Sequence, residues 1–283
     1  MLNKAYLAKV LGCMILVAGT FFSSCKDDIT APPKPDVKEP DITGKKTTTV
    51  NWNTLSDGMY STGAASKDLG TLTGWNEARA AIAEHTLRIK LEKNALSSAG
   101  GIVANVALEE GSEYEVQYKV KFPAEFEWGK GGKIGFGFRI GDGNTGCDKA
   151  DDGNGASARL MWFTSANGNV RLKPYLYYKD MPDDCGSGFD TAYPSTGSIQ
   201  KNTWYLVQIY IKSNTASNED GWVKFTVNGS TILDRKIRWT TNNAKRLINK
   251  LAFSTFRGGS TPDWETTTDN YVYFDDLTYT KIK

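Results

Sequence analysis

An all-β sandwich or jelly roll in a single domain is the fold this sequence predicts. Three observations point to it. Apolar and polar residues alternate with period two in many short segments, as in strands that bury one face. Gly, Asn and Asp turn residues separate those segments. No long amphipathic helix and no internal repeat interrupts them. A chain of 283 residues can bury a substantial core in one such domain.

Taken in order, the folded part is expected over residues 50–283. It opens with Val50 to Tyr60, rich in aromatic and turn residues, and Trp75 to Ala83 reads as a short helical or irregular passage. Thr86 to Glu92 alternates cleanly and predicts a strand. Gly100-Gly101 breaks the chain before a strand over Ile102 to Leu108. Glu113 to Phe122 places Tyr114, Val116, Tyr118, Val120 and Phe122 on one face. After the central segments come strands at Trp204 to Lys212, Trp222 to Val227, Thr231 to Arg238, Lys250 to Phe256 and Tyr271 to Thr280. Asn228-Gly229 is a two-residue hairpin signal between two of them.

Three central segments carry the chemistry. In Gly132 to Ile140, Ile134, Phe136, Phe138 and Ile140 oppose Lys133, Gly135, Gly137 and Arg139. In Ser157 to Trp162, Ala158, Leu160 and Trp162 oppose Ser157, Arg159 and Met161. In Arg171 to Lys179, Leu172, Pro174, Leu176 and Tyr178 oppose Arg171, Lys173, Tyr175, Tyr177 and Lys179. If the apolar faces share one core, the opposite faces make a patch of cations, phenols and a hydroxyl. Gly135 and Gly137 are read as a shallow floor with room for a bulky ligand. Such a surface suits an acidic polymer.

The N-terminus has the form of an export signal. Lys4 and Lys9 precede an apolar run from Val10 to Phe22, too short to span a membrane as a helix. Ser23-Ser24-Cys25 resembles a bacterial lipoprotein cleavage site, which implies residues 1–24 as signal peptide and lipid on Cys25. Lys26-Asp27-Asp28 resembles the export tag of surface lipoproteins. The expected location is the outer membrane of a Gram-negative bacterium, facing outward; an ordinary secreted protein is the alternative. Residues 25–49 read as a flexible tether, with four of the nine prolines.

Without Lys4 and Lys9, the 34 basic residues fall to 32 against 32 acidic ones, so a nucleic-acid footprint is absent. One histidine, His85, argues against a histidine metal site or a Ser-His-Asp triad. No cofactor or metal is expected. Asp142, Asp148, Asp151 and Asp152 share a loop but match no calcium-loop spacing, and a solvated loop is preferred. Cys13 leaves with the signal and Cys25 takes lipid. Cys147 and Cys185 therefore remain to form a disulfide, with two free thiols as the alternative.

Gly131-Gly-Lys-Ile134, Ser157-Ala-Arg-Leu-Met-Trp162 and Tyr175-Leu-Tyr177 resemble, in that order, motifs of polysaccharide lyase family 14, which contains alginate lyases. The glucuronan lyases of family 20 are related to it. Val120-Lys-Phe-Pro123, Phe256-Arg-Gly-Gly-Ser260 and Tyr273-Phe-Asp-Asp276 support the likeness. The resemblance implies a jelly roll with a concave cleft and metal-independent β-elimination at a 4-linked uronic acid. It implies functional roles for Lys133, Ser157, Arg159, Tyr175 and Tyr177. All five fall on the polar faces set by alternation.

Such chemistry needs a cation at the sugar carboxylate, a base for the C5 proton and an acid for the C4 oxygen. Lys133 and Arg159 are the candidate cations. Tyr175 and Tyr177 are the candidate base and acid, on the premise that nearby cations favour a phenolate. Ser157 is assigned to orienting substrate or a tyrosine, and Arg139, Arg171 and Lys173 to more distant substrate contacts. Met161 and Trp162 are assigned to packing, and His85 to a structural or exposed position. The alternative function is a non-catalytic glycan-binding lipoprotein on the same fold. A two-carboxylate glycosidase is disfavoured, because no Asp or Glu lies on the patch faces.

Register decides the reading. A two-residue Asn167-Gly168 turn would set Tyr178 opposite Ser157 and Leu176 opposite Arg159, turning both candidate tyrosines into the core. The patch therefore requires an odd-length loop or a bulge between Thr164 and Val170, with Gly168 at positive φ. Ile-Gly-Phe-Gly-Phe after the lysine, and the long loops Gly141–Gly155 and Asp180–Ile199, depart from the alginate enzymes. They bear on substrate choice.

Overall fold

Alternation of buried and exposed residues builds two antiparallel sheets in the computed structural model, which describes residues 44–283. The predicted signal of residues 1–24, the expected acylation site Cys25 and most of the tether lie outside the described residues. The first strands are β1 (Lys46–Val50), β2 (Gly58–Met59), β3 (Leu72–Thr73), β4 (Ala80–Ala83) and β5 (Thr86–Leu91). Next come β6 (Ile102–Gly111), β7 (Glu113–Lys121), β8 (Gly131–Gly141), β9 (Gly155–Thr164) and β10 (Val170–Tyr177). The last are β11 (Trp204–Lys212), β12 (Gly221–Val227), β13 (Ser230–Ile237), β14 (Ile248–Arg257) and β15 (Asn270–Lys281). A short helix, α1 (Thr62–Leu69), is capped by the Ser61 hydroxyl, which accepts from the Ala64 amide.

The larger sheet runs β13-β12-β11-β7-β15-β5-β4-β2, with β1 on β15; the smaller runs β10-β9-β8-β14-β6-β3. Together they form a jelly-roll β-sandwich. Strands distant in sequence are neighbours, with β14 between β8 and β6 and β15 between β7 and β5. The inner faces carry the residues that alternation assigns to the core. Tyr118 meets Phe136 with centroids 5.4 Å apart, Phe136 meets Phe253 at 4.7 Å, and Phe253 meets Phe274 at 5.4 Å. Each is almost wholly buried, which stabilises the fold by roughly 2–3 kcal/mol per ring.

The predicted Asn228-Gly229 hairpin is present. Both residues take positive φ, and Val227 pairs with Ser230. The folded part begins earlier than the expected boundary at Val50. Lys46–Val50 is a strand, paired residue by residue with Leu277–Lys281. Cross-strand threonine pairs give the reason: the hydroxyls of Thr47 and Thr280 lie 3.0 Å apart, and those of Thr49 and Thr278 3.3 Å. Residues 80–83 are strand rather than an irregular passage, because β4 completes the sheet against β5.

Gly135 and Gly137 do not form a ligand floor. Gly135 has φ 73°, and a Cβ there would fall 2.3 Å from the Tyr118 ring. At Gly137 a Cβ would fall 2.2 Å from the Ala158 carbonyl oxygen. The glycines serve a bulge. Ile134 pairs with Leu160 but Phe138 with Ala158, so four steps along β8 match two along β9. The Gly135 amide donates to Thr255 Oγ1 at 3.1 Å, and the Tyr118 hydroxyl donates to the Ile134 carbonyl at 3.1 Å. The bulge sets Lys133 opposite Met161 and Arg139 opposite Ser157, so both cations stay on the outer face.

Candidate active site

The β9–β10 register places the tyrosines. Thr164 pairs with Val170, leaving a loop over residues 165–169, and Gly168 takes φ 81°. That odd-length loop brings Tyr175 opposite Arg159 and Tyr177 opposite Ser157. Leu176 and Tyr178 turn inward and are buried. The outer face of β8, β9 and β10 thus gathers Lys133, Arg139, Ser157, Arg159, Met161, Lys173, Tyr175 and Tyr177.

At its centre Lys133 Nζ lies 3.9 Å from the centroid of the Tyr175 ring. The Arg159 guanidinium lies 5.4 Å from Tyr175 and 5.5 Å from Tyr177, whose rings meet edge to face at 5.8 Å. Lys133 is 8% exposed and Arg159 4%. Nε and Nη2 of Arg159 have no hydrogen-bond partner among the described residues. A buried cation without a partner is costly unless a ligand supplies the anion.

Burial shapes the protonation of these groups. It pulls the Lys133 ammonium down to about 7, helped by the neighbouring Arg159 charge. It pulls Arg159 down to about 10, with Arg139 adding to the effect. Arg159 stays charged at neutral pH, and Lys133 is poised near half-protonation. Tyr175 moves the other way: burial raises its phenol well above the usual value, Tyr177 adds to this, and Arg159 only partly opposes it. The premise that adjacent cations draw this phenol toward ionisation does not hold, because desolvation outweighs them.

The other candidate residues also have neighbours within the fold. Ser157 is fully buried, and its hydroxyl donates to the Asn144 carbonyl at 2.7 Å. It anchors the loop that follows β8 and stands opposite Tyr177 in the β9–β10 pair. Arg139 also serves that loop, donating from Nη1 to the Gly143 carbonyl at 2.9 Å. Arg171 donates to the Gly197 carbonyl at 3.1 Å, and Lys173 lies over the Phe163 ring at 5.3 Å. Both sit farther out along β10 and are half-buried. Met161, assigned to packing, lies on the site face between Lys133 and Lys173. Alternation alone had already put it there.

Cys147 and Cys185 form the expected disulfide, with Cα atoms 4.3 Å apart. The acidic loop uses its carboxylates locally. Asp142 pairs with Lys245 at 2.6 Å, Asp148 accepts from Asn144, and Asp152 accepts from Asn154. His85 is exposed in the turn between β4 and β5.

A jelly roll whose outer face holds buried cations beside phenols fits a polysaccharide lyase. The family model for Polysaccharide lyase 14 matches residues 79–277, and the chain belongs to that family. Among solved structures it is similar to alginate lyase Aly36B, with 50% identity and a TM-score of 0.81 over 82% of this chain and 96% of that one. Aly36B mutants have also been solved in complex with an alginate tetrasaccharide and an alginate trisaccharide. The marine PL-14 alginate lyase from Aplysia kurodai shares the fold at 22% identity, with a TM-score of 0.64 over 82% of this chain and 97% of that one. Exolysin of Paramecium bursaria Chlorella virus 1 is 30% identical over 169 residues, which are 52% of this chain and 26% of that protein.

Proposed function

We propose that the protein is a surface-anchored lyase that cleaves a 4-linked polyuronate, alginate foremost, by metal-independent β-elimination. The observation that carries this reading is the Arg159 guanidinium, buried, charged and unpartnered beside a lysine whose ammonium is pulled down to about 7. The likeness to Aly36B, solved with alginate oligosaccharides, supports the substrate class.

Arg159 grips the uronate carboxylate with two free N–H groups and neutralises it, which acidifies the C5 proton. Neutral Lys133 takes that proton. The electron pair passes into the C4–C5 bond as the C4–O4 bond breaks. Tyr175, held protonated by burial, gives its proton to the departing O4. Tyr177, fully buried, packs edge to face on Tyr175 and holds that ring in place. The products are a shortened chain and one carrying a 4,5-unsaturated uronate. The proton on Lys133 then restores the Tyr175 phenol, directly or through solvent.

The direct test is ultraviolet absorbance of the unsaturated uronate when purified protein meets alginate, glucuronan and other polyuronates. Binding without absorbance on any of them would instead support a glycan-binding protein. Because the base must be neutral, kcat/KM is expected to fall about tenfold per pH unit below about 7. A profile flat through neutrality, rising only near the phenol range, would assign the base to a tyrosine.

Anchoring is part of the same proposal, supported by the basic start, the apolar run and the Ser-Ser-Cys25 sequence. Full-length protein is expected in the membrane fraction and open to protease added to intact cells, while Cys25→Ser is released. Recovery of both forms in the soluble fraction would refute the anchor.

A further inference from the structure

Tyr177 is fully buried, and its hydroxyl oxygen accepts a hydrogen bond from the Cys147 backbone amide at 2.8 Å. That amide spends one lone pair of the phenol oxygen. Cys147 takes a left-handed backbone, φ 65°, which a non-glycine residue holds only where its surroundings impose it. The loop behind it is fastened from the site face, by Ser157 to Asn144 and by Arg139 to Gly143.

Across the cleft, the segment after β10 folds back on that strand. Ser187 exchanges two backbone hydrogen bonds with Leu176, both 2.9 Å. Gly186, φ 71°, then lies so close to Tyr175 that a Cβ would fall 2.4 Å from a ring carbon. The Cys147–Cys185 disulfide joins these two segments. One of its cysteines presents the amide to Tyr177, and the other precedes the glycine packed on Tyr175. Both cysteines are exposed, so a soluble reductant reaches them.

We infer that the Cys147–Cys185 bridge is a positioning element of the active site, holding the Cys147 amide on Tyr177 and the Gly186 backbone against Tyr175, so that turnover requires the oxidised protein. A bridge that served only stability would act by constraining the unfolded chain, and its loss would leave kcat unchanged in protein that stays folded. The inference rests on the lyase reading above. Catalytic geometry is sensitive to displacements near 1 Å, which two freed loops permit.

The test compares bridged protein, protein reduced with a phosphine under native conditions, and the double variant Cys147→Ser/Cys185→Ser. On reduction, hydrogen exchange at the Cys147 amide is expected to accelerate by about tenfold or more, as it should in bridged Tyr177→Phe. On a polyuronate, kcat is expected to fall by about tenfold or more with KM within about twofold. Reoxidation should restore the rate in the wild type and not in the double variant. Melting temperatures well above that of the assay separate lost positioning from unfolding. Unchanged kcat with both thiols titrated free overturns the inference, and so does unchanged amide protection. Bridged protein that yields no unsaturated uronate from any polyuronate refutes the lyase reading instead. Amide exchange then decides the positioning claim alone.

Discussion

Replacing Lys133 by methionine is expected to abolish turnover and, at neutral pH, to make the protein more stable. Both effects come from one cause. Lys133 is 8% exposed and has a phenyl ring, not a carboxylate, beside its nitrogen. Burial lowers the value from 10.5 in the unfolded chain to about 7 in the folded protein. Below about pH 7 both states carry the proton, and the cost of burying an ammonium stands in full. From about 7 to 10.5 the unfolded state binds the extra proton, so stability rises with pH; above 10.5 the cost is gone. At about 1.36 kcal/mol per pH unit, that cost is on the order of 5 kcal/mol at the acid end. Lys133→Met removes it. Calorimetric melting should therefore show a gain of several degrees near neutrality that shrinks toward pH 10. The unsaturated-uronate assay should show a loss in kcat of about 10²–10⁴, the usual worth of a positioned base. A variant with wild-type kcat would mean that the chemistry lies elsewhere.

The second large effect concerns Arg159. Arg159→Lys keeps the charge and loses the planar fork. If Nε and Nη2 grip the sugar carboxylate as it gathers enolate charge, the variant should lose about 10²–10³ in kcat. Circular dichroism should match the wild type, because those two groups have no hydrogen-bond partner among the described residues. Wild-type kcat/KM in Arg159→Lys would shift the carboxylate contact to another cation on that face, such as Arg139 or Lys173.

The two cases show how unevenly the molecule can be read from its residues. Alternation in Glu113 to Phe122 and in the three central segments gives the strands and their inner faces, since a strand with one buried face imposes period two on its composition. The same rule puts Lys133, Arg159, Tyr175 and Tyr177 on one outer face once the register is known. It also puts Met161 there, and its apolar character led to a packing assignment instead. Gly135 and Gly137 were misread for a related reason. A glycine opposite a polar residue looks the same whether it makes room for a ligand or for a neighbouring strand. Only the approach of Tyr118 and Ala158 distinguishes the two.

Sequence alone pointed to the all-β class, to a bridge between Cys147 and Cys185, and to the residue types that converge on the site. These depend on local periodicity, on counting, and on motifs whose order survives in the linear chain. Tertiary structure decided the odd-length loop that turns Tyr175 and Tyr177 outward, and the bulge that keeps Arg139 in line with Lys133. It decided that the Ser157 hydroxyl fastens a loop, and that a backbone amide reaches Tyr177. It also reversed the expected protonation, giving a lysine near 7 and a phenol held neutral. Desolvation is set by every atom packed around a group, and most of those atoms come from strands far away in the chain.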